Sequence, residues 1–258
     1  MSLSNSGQTH PHHPGPLSGR ERGRCGLFIT ATDTEVGKTV IAGAIANWFV
    51  RRKFRVGVFK PVATGCPRRR EGLVSEDAEF LAHCADAPGP LDLICPQRYA
   101  EALAPAVAAE RAGQPLDWQA IDRALREISD ASDVIIVEGV GGIMAPLDPK
   151  NTVLDLAKRL ALPTIVVARP NLGTINHTLL TINALRAAKV PVGGVVINRY
   201  PAENTTIVEE TNPRAIERWG KVPVLTIVPD EKFQPPNLPP GIIAAIDRVD
   251  WESIARIT

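Results

Sequence analysis

The sequence predicts an α/β fold: a mostly parallel sheet with helices on both faces. Two observations carry that expectation. Short apolar or β-branched runs alternate with stretches of helical periodicity from residue 26 almost to the end. This is the rhythm of strand, crossover and parallel strand, whose sheet must be covered on both sides. The first run then leads through Thr32-Asp33-Thr34-Glu35-Val36-Gly37-Lys38-Thr39 into a helically spaced apolar segment. A glycine-lysine loop between strand and helix is the setting in which backbone N–H groups cradle phosphate.

Taken in order, residues 1–24 are Ser, Gly, Pro, His and Arg with almost no apolar side chains. They read as a disordered tail without the apolar core of a signal peptide. His10, His12 and His13 in that Pro-rich setting read as a metal site only weakly. Residues 25–258 are expected to form one domain. Leu27, Phe28 and Ile29 have the look of a buried parallel strand, and a helix is expected from Lys38 or Thr39 to about Val50. Further strands are expected at 56–59, 134–137, 164–168, 192–197 and 222–227. Helices are expected at 117–130, 152–161, 175–188 and 204–219, with another opening at Ser75, a good N-cap residue. The Pro-rich stretch 229–241 reads as irregular, followed by a closing helix at 241–256.

Composition excludes some classes. The 258 residues carry a net charge of +1, so no broad electrostatic case exists for nucleic acid or an anionic membrane. Cys25, Cys66, Cys84 and Cys95 form no C-x-x-C pair. That suits reduced thiols in a cytoplasmic protein better than a disulfide framework or a zinc site. No apolar run approaches the roughly 20 residues that span a bilayer.

The chemistry is concentrated at predicted strand ends, outside which ligands gather in open α/β sheets. In the loop, Gly37 allows close backbone approach, Lys38 adds a point charge and the Thr39 hydroxyl suits Mg²⁺. The usual first glycine of such a loop is replaced by Thr32. These features narrow the fold class to P-loop NTPase-like. Lys60-Pro61-Val62-Ala63-Thr64-Gly65 ends a strand expected to neighbour the loop, which would let Lys60 and Thr64 reach the same ligand. Asp77 is either a dipole-friendly acid in a first helical turn or an acid facing a metal. Glu138, ending the run Asp133 to Val137, is either an exposed strand end or a Mg²⁺ ligand of the kind P-loop proteins carry there. Gly139, Gly141 and Gly142 let backbone approach a ligand. Asn171 to His177 opens a helix that either binds an anion or is a plain turn capped by Thr174. Asn198 either reads a base edge or caps a turn.

Together these elements resemble one family, dethiobiotin synthetase. Its phosphate loop G-T-D-T-x-V-G-K-T is similar to Ala31–Thr39. K-P-V-x-[ST]-G is similar to Lys60–Gly65, the D-A pair to Asp77-Ala78, V-E-G-x-G-G to Val137–Gly142 and L-G-x-I-N-H to Leu172–His177. The ordered set covers about residues 26–230; Ala31 stands where the family usually has Gly. The resemblance implies a reaction of 7,8-diaminononanoate (diaminopelargonate), CO₂ and ATP to dethiobiotin, ADP and phosphate. It also implies Lys38 and Lys60 as catalytic cations and Thr39, Asp77 and Glu138 as the Mg²⁺ set. Thr34, Thr64, Gly173, Thr174, Ile175 and Asn176 would contact the diamine. Glu35, Val36, Gly37, Lys38, Thr39, Val40, Asp77, Glu138, Gly139, Val140, Gly141, Asn198, Arg199, Val228, Pro229 and Asp230 would hold the nucleotide. A homodimer with shared sites is implied as well.

Two rival readings stand beside it. A cobyrinic-acid-type amidating synthetase shares this branch of phosphate loops, but usually carries a glutamine-hydrolysing domain with a nucleophilic Cys, for which the chain has no room. A partitioning or cell-division ATPase switch carries an extra Lys five positions before the loop Lys, where this chain has Asp33.

Overall fold

The computed structural model describes residues 25–87, 89–232 and 234–256; the expected tail, 1–24, lies outside them. The chain runs β1 (Gly26–Ala31), α1 (Lys38–Arg51), β2 (Val56–Phe59), β3 (Val62–Ala63), β4 (Arg68–Arg69), β5 (Gly72–Leu73), α2 (Glu76–Cys84), α3 (Leu91–Ile94) and β6 (Gln97–Arg98). It continues through α4 (Pro105–Ala112), α5 (Trp118–Ala131), β7 (Val134–Gly142), α6 (Val153–Leu160), β8 (Thr164–Ala168) and α7 (Thr174–Ala187). The last elements are β9 (Val192–Tyr200), α8 (Ile207–Gly220), β10 (Val224–Pro229), α9 (Pro240–Ile246) and α10 (Trp251–Ile254).

Six strands form one sheet in the order β10-β9-β8-β1-β7-β2, and every neighbouring pair is parallel. Strand alternation divides the interior into two cores. Leu27, Ile29, Val134, Ile136, Ile165 and Val167 face α1 together with Ile242 and Trp251 near the C-terminus. Phe28, Ile135, Val137, Val166, Val195 and Ile197 face α5, α6, α7 and α8. A parallel sheet buried on both faces accounts for the continuous apolar runs in the sequence.

Three expectations are corrected. β2 is not beside β1: β7 lies between them, so Lys60 approaches the loop across the end of β7. Crossover connections set strand order, and local propensity does not report them. The closing helix is two pieces, because α9 ends at Ile246 and Asp250 restarts the helix as α10, its carboxylate accepting from Ser253 N at 3.2 Å. Thr174 is not the cap of α7. Gly173 holds the N-cap position at φ 92°, and Thr174 is already helical, buried and without a partner for its hydroxyl. A left-handed N-cap requires little beyond glycine. The segment between β2 and α5 also contains a β3–β6 pair and a β4–β5 hairpin, two-residue strands too short to show a period.

Candidate active site

The phosphate loop leaves β1 and returns as α1, and its geometry follows from a few residues. Gly37, at φ 93°, caps α1 without a side-chain acceptor, so the helix begins with free N–H groups and the positive end of its dipole. No other residue fits there: a Cβ would lie 2.2 Å from Nδ2 of Asn198. Asn198, buried at the end region of β9, donates that Nδ2 to Val36 O at 2.9 Å. Its amide thus braces the loop from behind, which sequence reasoning did not foresee. Lys38 is buried and its Nζ donates to Asp33 O at 3.2 Å. Burial holds its pKa below the ordinary lysine value, against the attraction of Glu138.

Beside the loop, oxygens converge. Thr39 Oγ1 lies 3.0 Å from Asp77 Oδ1 and 2.9 Å from Glu138 Oε1. A hydroxyl has one hydrogen, so it cannot donate to both. Lys60 Nζ sits 2.6 Å from Glu138 Oε1, 2.8 Å from Asp77 Oδ2 and 3.3 Å from Gly139 O. Its side chain is 4% exposed and that of Glu138 1%, against 44% for Asp77. Burial opposes the Lys60 ammonium, but the charges of Glu138 and Asp77 more than offset it and raise its pKa. Asp77 is driven down: burial works the other way, and Lys60 outweighs it. Burial keeps the Glu138 carboxyl above the usual range, with Lys60 pulling against it. Glu138 Oε2 is buried with no hydrogen-bond partner. An orphaned carboxylate oxygen beside a second carboxylate and a hydroxyl is a donor set that fits a hard cation. Mg²⁺ in particular is held by one or two carboxylates while phosphate and water supply the rest. Among the described residues no cluster of three His, Cys, Asp or Glu offers a different kind of metal site.

A cleft of about 930 Å³ opens in front of this cluster, within the size range of small-molecule sites. It brings together Thr34, Glu35, Gly37, Lys38, Thr39, Val40, Lys60, Thr64, Asp77, Glu138, Val140, Gly141 and Arg199 from the expected set. Val36, Gly139 and Asn198 are not among its lining residues. Val228, Pro229 and Asp230 lie at the end of β10, where Pro229 pairs with Tyr200 and Asp230 N donates to Tyr200 O at 2.8 Å. Gly173, Thr174, Ile175 and Asn176 do not line this cleft. Sequence reasoning missed Arg69, Glu76, Glu79, Phe80, Pro235 and Pro236, which do. Arg69 is paired to Glu79 at 2.7 Å, a contact made by the β4–β5 hairpin that no local pattern announces.

Comparison with known proteins bears on the family and the fold. A family model described as an AAA domain matches residues 25–234. ATP-dependent dethiobiotin synthetase BioD of Thermodesulfovibrio yellowstonii is 39% identical over 213 residues, 80% of this chain and 89% of the relative. The protein of the same name from Bacillus cereus is 42% identical over 205 residues, 79% of this chain and 83% of the relative. Among solved structures, the Pyrococcus furiosus cell division ATPase MinD superposes with a TM-score of 0.52 at 17% identity, covering 92% of this chain and 100% of that one. The Aquifex aeolicus MinC:MinD complex gives 0.50 at 17% identity, covering 86% and 85%. At that identity the likeness speaks for the P-loop fold alone.

Proposed function

The chain belongs to the ATP-dependent dethiobiotin synthetase family, and from that premise we propose how its own residues carry the reaction. The protein is an ATP-dependent cyclo-ligase of biotin biosynthesis, and its substrates are small molecules. One amine of 7,8-diaminononanoate takes up CO₂ as a carbamate. A carbamate oxygen takes the γ-phosphoryl group of ATP, and ADP departs. The second amine then attacks the carbamoyl carbon, phosphate leaves and the ureido ring closes.

The physical obstacle is charge, because an anionic oxygen must approach an anionic phosphoryl group. Lys38 and Lys60 are the residues we assign to neutralise it. The observation that carries the assignment is Lys60 itself: a buried ammonium held by Glu138 and Asp77 at the edge of the phosphate loop. The Glu35–Val40 segment presents its N–H groups to the phosphates, and Gly139, Val140 and Gly141 border them. Thr39, Asp77 and Glu138 would hold Mg²⁺, which when bound supplies positive charge to the phosphate oxygens. Thr34 and Thr64 are assigned to the diamine. Asn198, Arg199, Val228, Pro229 and Asp230 are assigned to the nucleoside end; Nδ2 of Asn198 is engaged with Val36, leaving its oxygen for a base amino group.

Gly173, Thr174, Ile175 and Asn176 are assigned to the substrate carboxylate in the site of a second copy. The free N–H groups of α7, the buried unpartnered hydroxyl of Thr174 and the exposed Leu172 and Leu180 beside them support that homodimer. We further read residues 25–258 as one domain and the protein as cytoplasmic without a nucleic-acid partner. The net charge of +1 and the free cysteines favour this; no helix among the described residues is long and apolar enough to cross a membrane.

Turnover of purified protein with 7,8-diaminononanoate, bicarbonate and Mg-ATP, read by mass detection of the ring-closed product, tests the reading. ATP hydrolysis without that product would overturn it. The cation site has its own test. Asp77→Asn is expected to raise the Mg²⁺ concentration for half-maximal activity about tenfold or more. Asp77 is the better target because it is half-exposed, whereas Glu138 also anchors Lys60. An unchanged Mg²⁺ requirement would remove Asp77 from the set.

A further inference from the structure

We propose that Arg169 is a positioning residue for nucleotide binding: it aims a backbone N–H of the phosphate loop by holding the carbonyl of the same peptide unit. Arg169 is the first residue after β8, and no motif drew attention to it. Its Nη2 donates to Thr34 O at 2.8 Å and lies 3.7 Å from Asp33 Oδ2. A trans peptide is planar, with C=O and N–H pointing in opposite directions. A donor that fixes the Thr34 carbonyl therefore fixes the direction of the Glu35 N–H. The same logic repeats two residues on, where Asn198 Nδ2 holds Val36 O and so orients the Gly37 N–H. The ends of β8 and β9 thus supply two clamps on alternate carbonyls, and the paired N–H groups turn the other way, towards the loop's concave side.

The loop needs such clamps. Its usual first glycine is Thr32. Glu35 sits at φ 58°, a left-handed conformation that a non-glycine residue holds only when its surroundings impose it. Thr34 N is turned back onto Asp33 Oδ1 at 2.7 Å, so the inward array starts at Glu35, the unit Arg169 controls. Arg169 and Asp33 are both substantially exposed, at 41% and 56% of their side chains. Removing the guanidinium should therefore loosen the loop without disturbing either core.

The inference rests on residues 32–39 being the nucleotide loop, so its test uses nucleotide binding without the diamine. Calorimetric titration of full-length protein with Mg-ATP should show Arg169→Ala binding about tenfold more weakly, a charge-assisted hydrogen bond's worth. The melting temperature should stay within about 2 °C, as for an exposed side chain. Hydrogen exchange of nucleotide-free protein should be faster across 32–38 in the variant. Arg169→Lys keeps the charge but not the planar fork and should fall between the two. Three results would overturn the proposal: unchanged affinity in Arg169→Ala, unchanged exchange across the loop, or full recovery in Arg169→Lys with the Ala deficit vanishing in high salt, which would mean charge attraction only. Wild-type protein that binds Mg-ATP but forms no ring product would defeat the assigned reaction and leave the clamp standing.

Discussion

Lys60→Ala is expected to reduce turnover by about 10²-fold or more, the usual effect of removing one preorganised charge from a developing transition state. Position at a strand end alone would also predict a melting temperature within a few degrees of wild type. Burial changes that expectation. Lys60 is 3% exposed and is the cation against which Glu138, 1% exposed, is set at 2.6 Å. Removing it leaves a buried carboxylate without a partner, which costs about 3–5 kcal/mol, roughly 10 °C for a chain of this size. The stability loss has a pH signature. Without Lys60, burial holds the folded-state pKa of Glu138 above its unfolded value of about 4.3, so the folded state binds the extra proton. The penalty is absent below the unfolded pKa and grows as pH rises towards the folded one, so the deficit should shrink as pH is lowered towards 4.5. Lys60→Ala combined with Glu138→Gln should recover most of the melting temperature and none of the turnover. If the double variant regains both, Lys60 acts through the fold rather than on the carbamate and phosphate. Near-normal turnover in the single variant would end its catalytic assignment.

Mixing two dead enzymes should restore activity. Lys60→Ala disables the phosphate side of a site, and Asn176→Pro disables the opening of α7. Asn176 is the third residue of α7, and its N–H has no intrahelical acceptor to lose. Proline there removes one anion-facing donor while the helix continues, since the first turn tolerates it. In a twofold dimer with shared sites, a mixed pair holds one site with both defects and one with neither. Random exchange of equal amounts makes half the dimers mixed, so about one quarter of wild-type activity should appear. Sites contained within one chain would give none. The measurement is product formation over time after mixing, with exchange followed independently by two labels. Exchange without activity, or a wild-type protein fully active as a monomer, would defeat the shared site.

The strands at 26–31, 56–59 and 164–168 were legible because a parallel strand buried on both faces leaves an apolar run with no polar alternation. The loop was legible because Gly37, Lys38 and Thr39 each have a chemical reason to stand where strand becomes helix. Family and reaction followed from ordered motifs, which relatives at 39–42% identity bear out.

Chain order could not say that β7 lies between β1 and β2, so Lys60 was expected beside the loop and instead reaches it across Glu138. Nor could it reveal that Asn198 and Arg169, 162 and 135 positions from their acceptors, hold the loop's carbonyls. Periodicity and loop chemistry are local: each residue's own neighbours impose them, so the sequence by itself determined the α/β class, the phosphate loop and the residue types at the strand ends. Which strand ends meet is set by crossovers tens of residues long. Tertiary structure alone therefore decided that one ammonium is shared by two carboxylates and that the loop's N–H groups are aimed from the ends of β8 and β9.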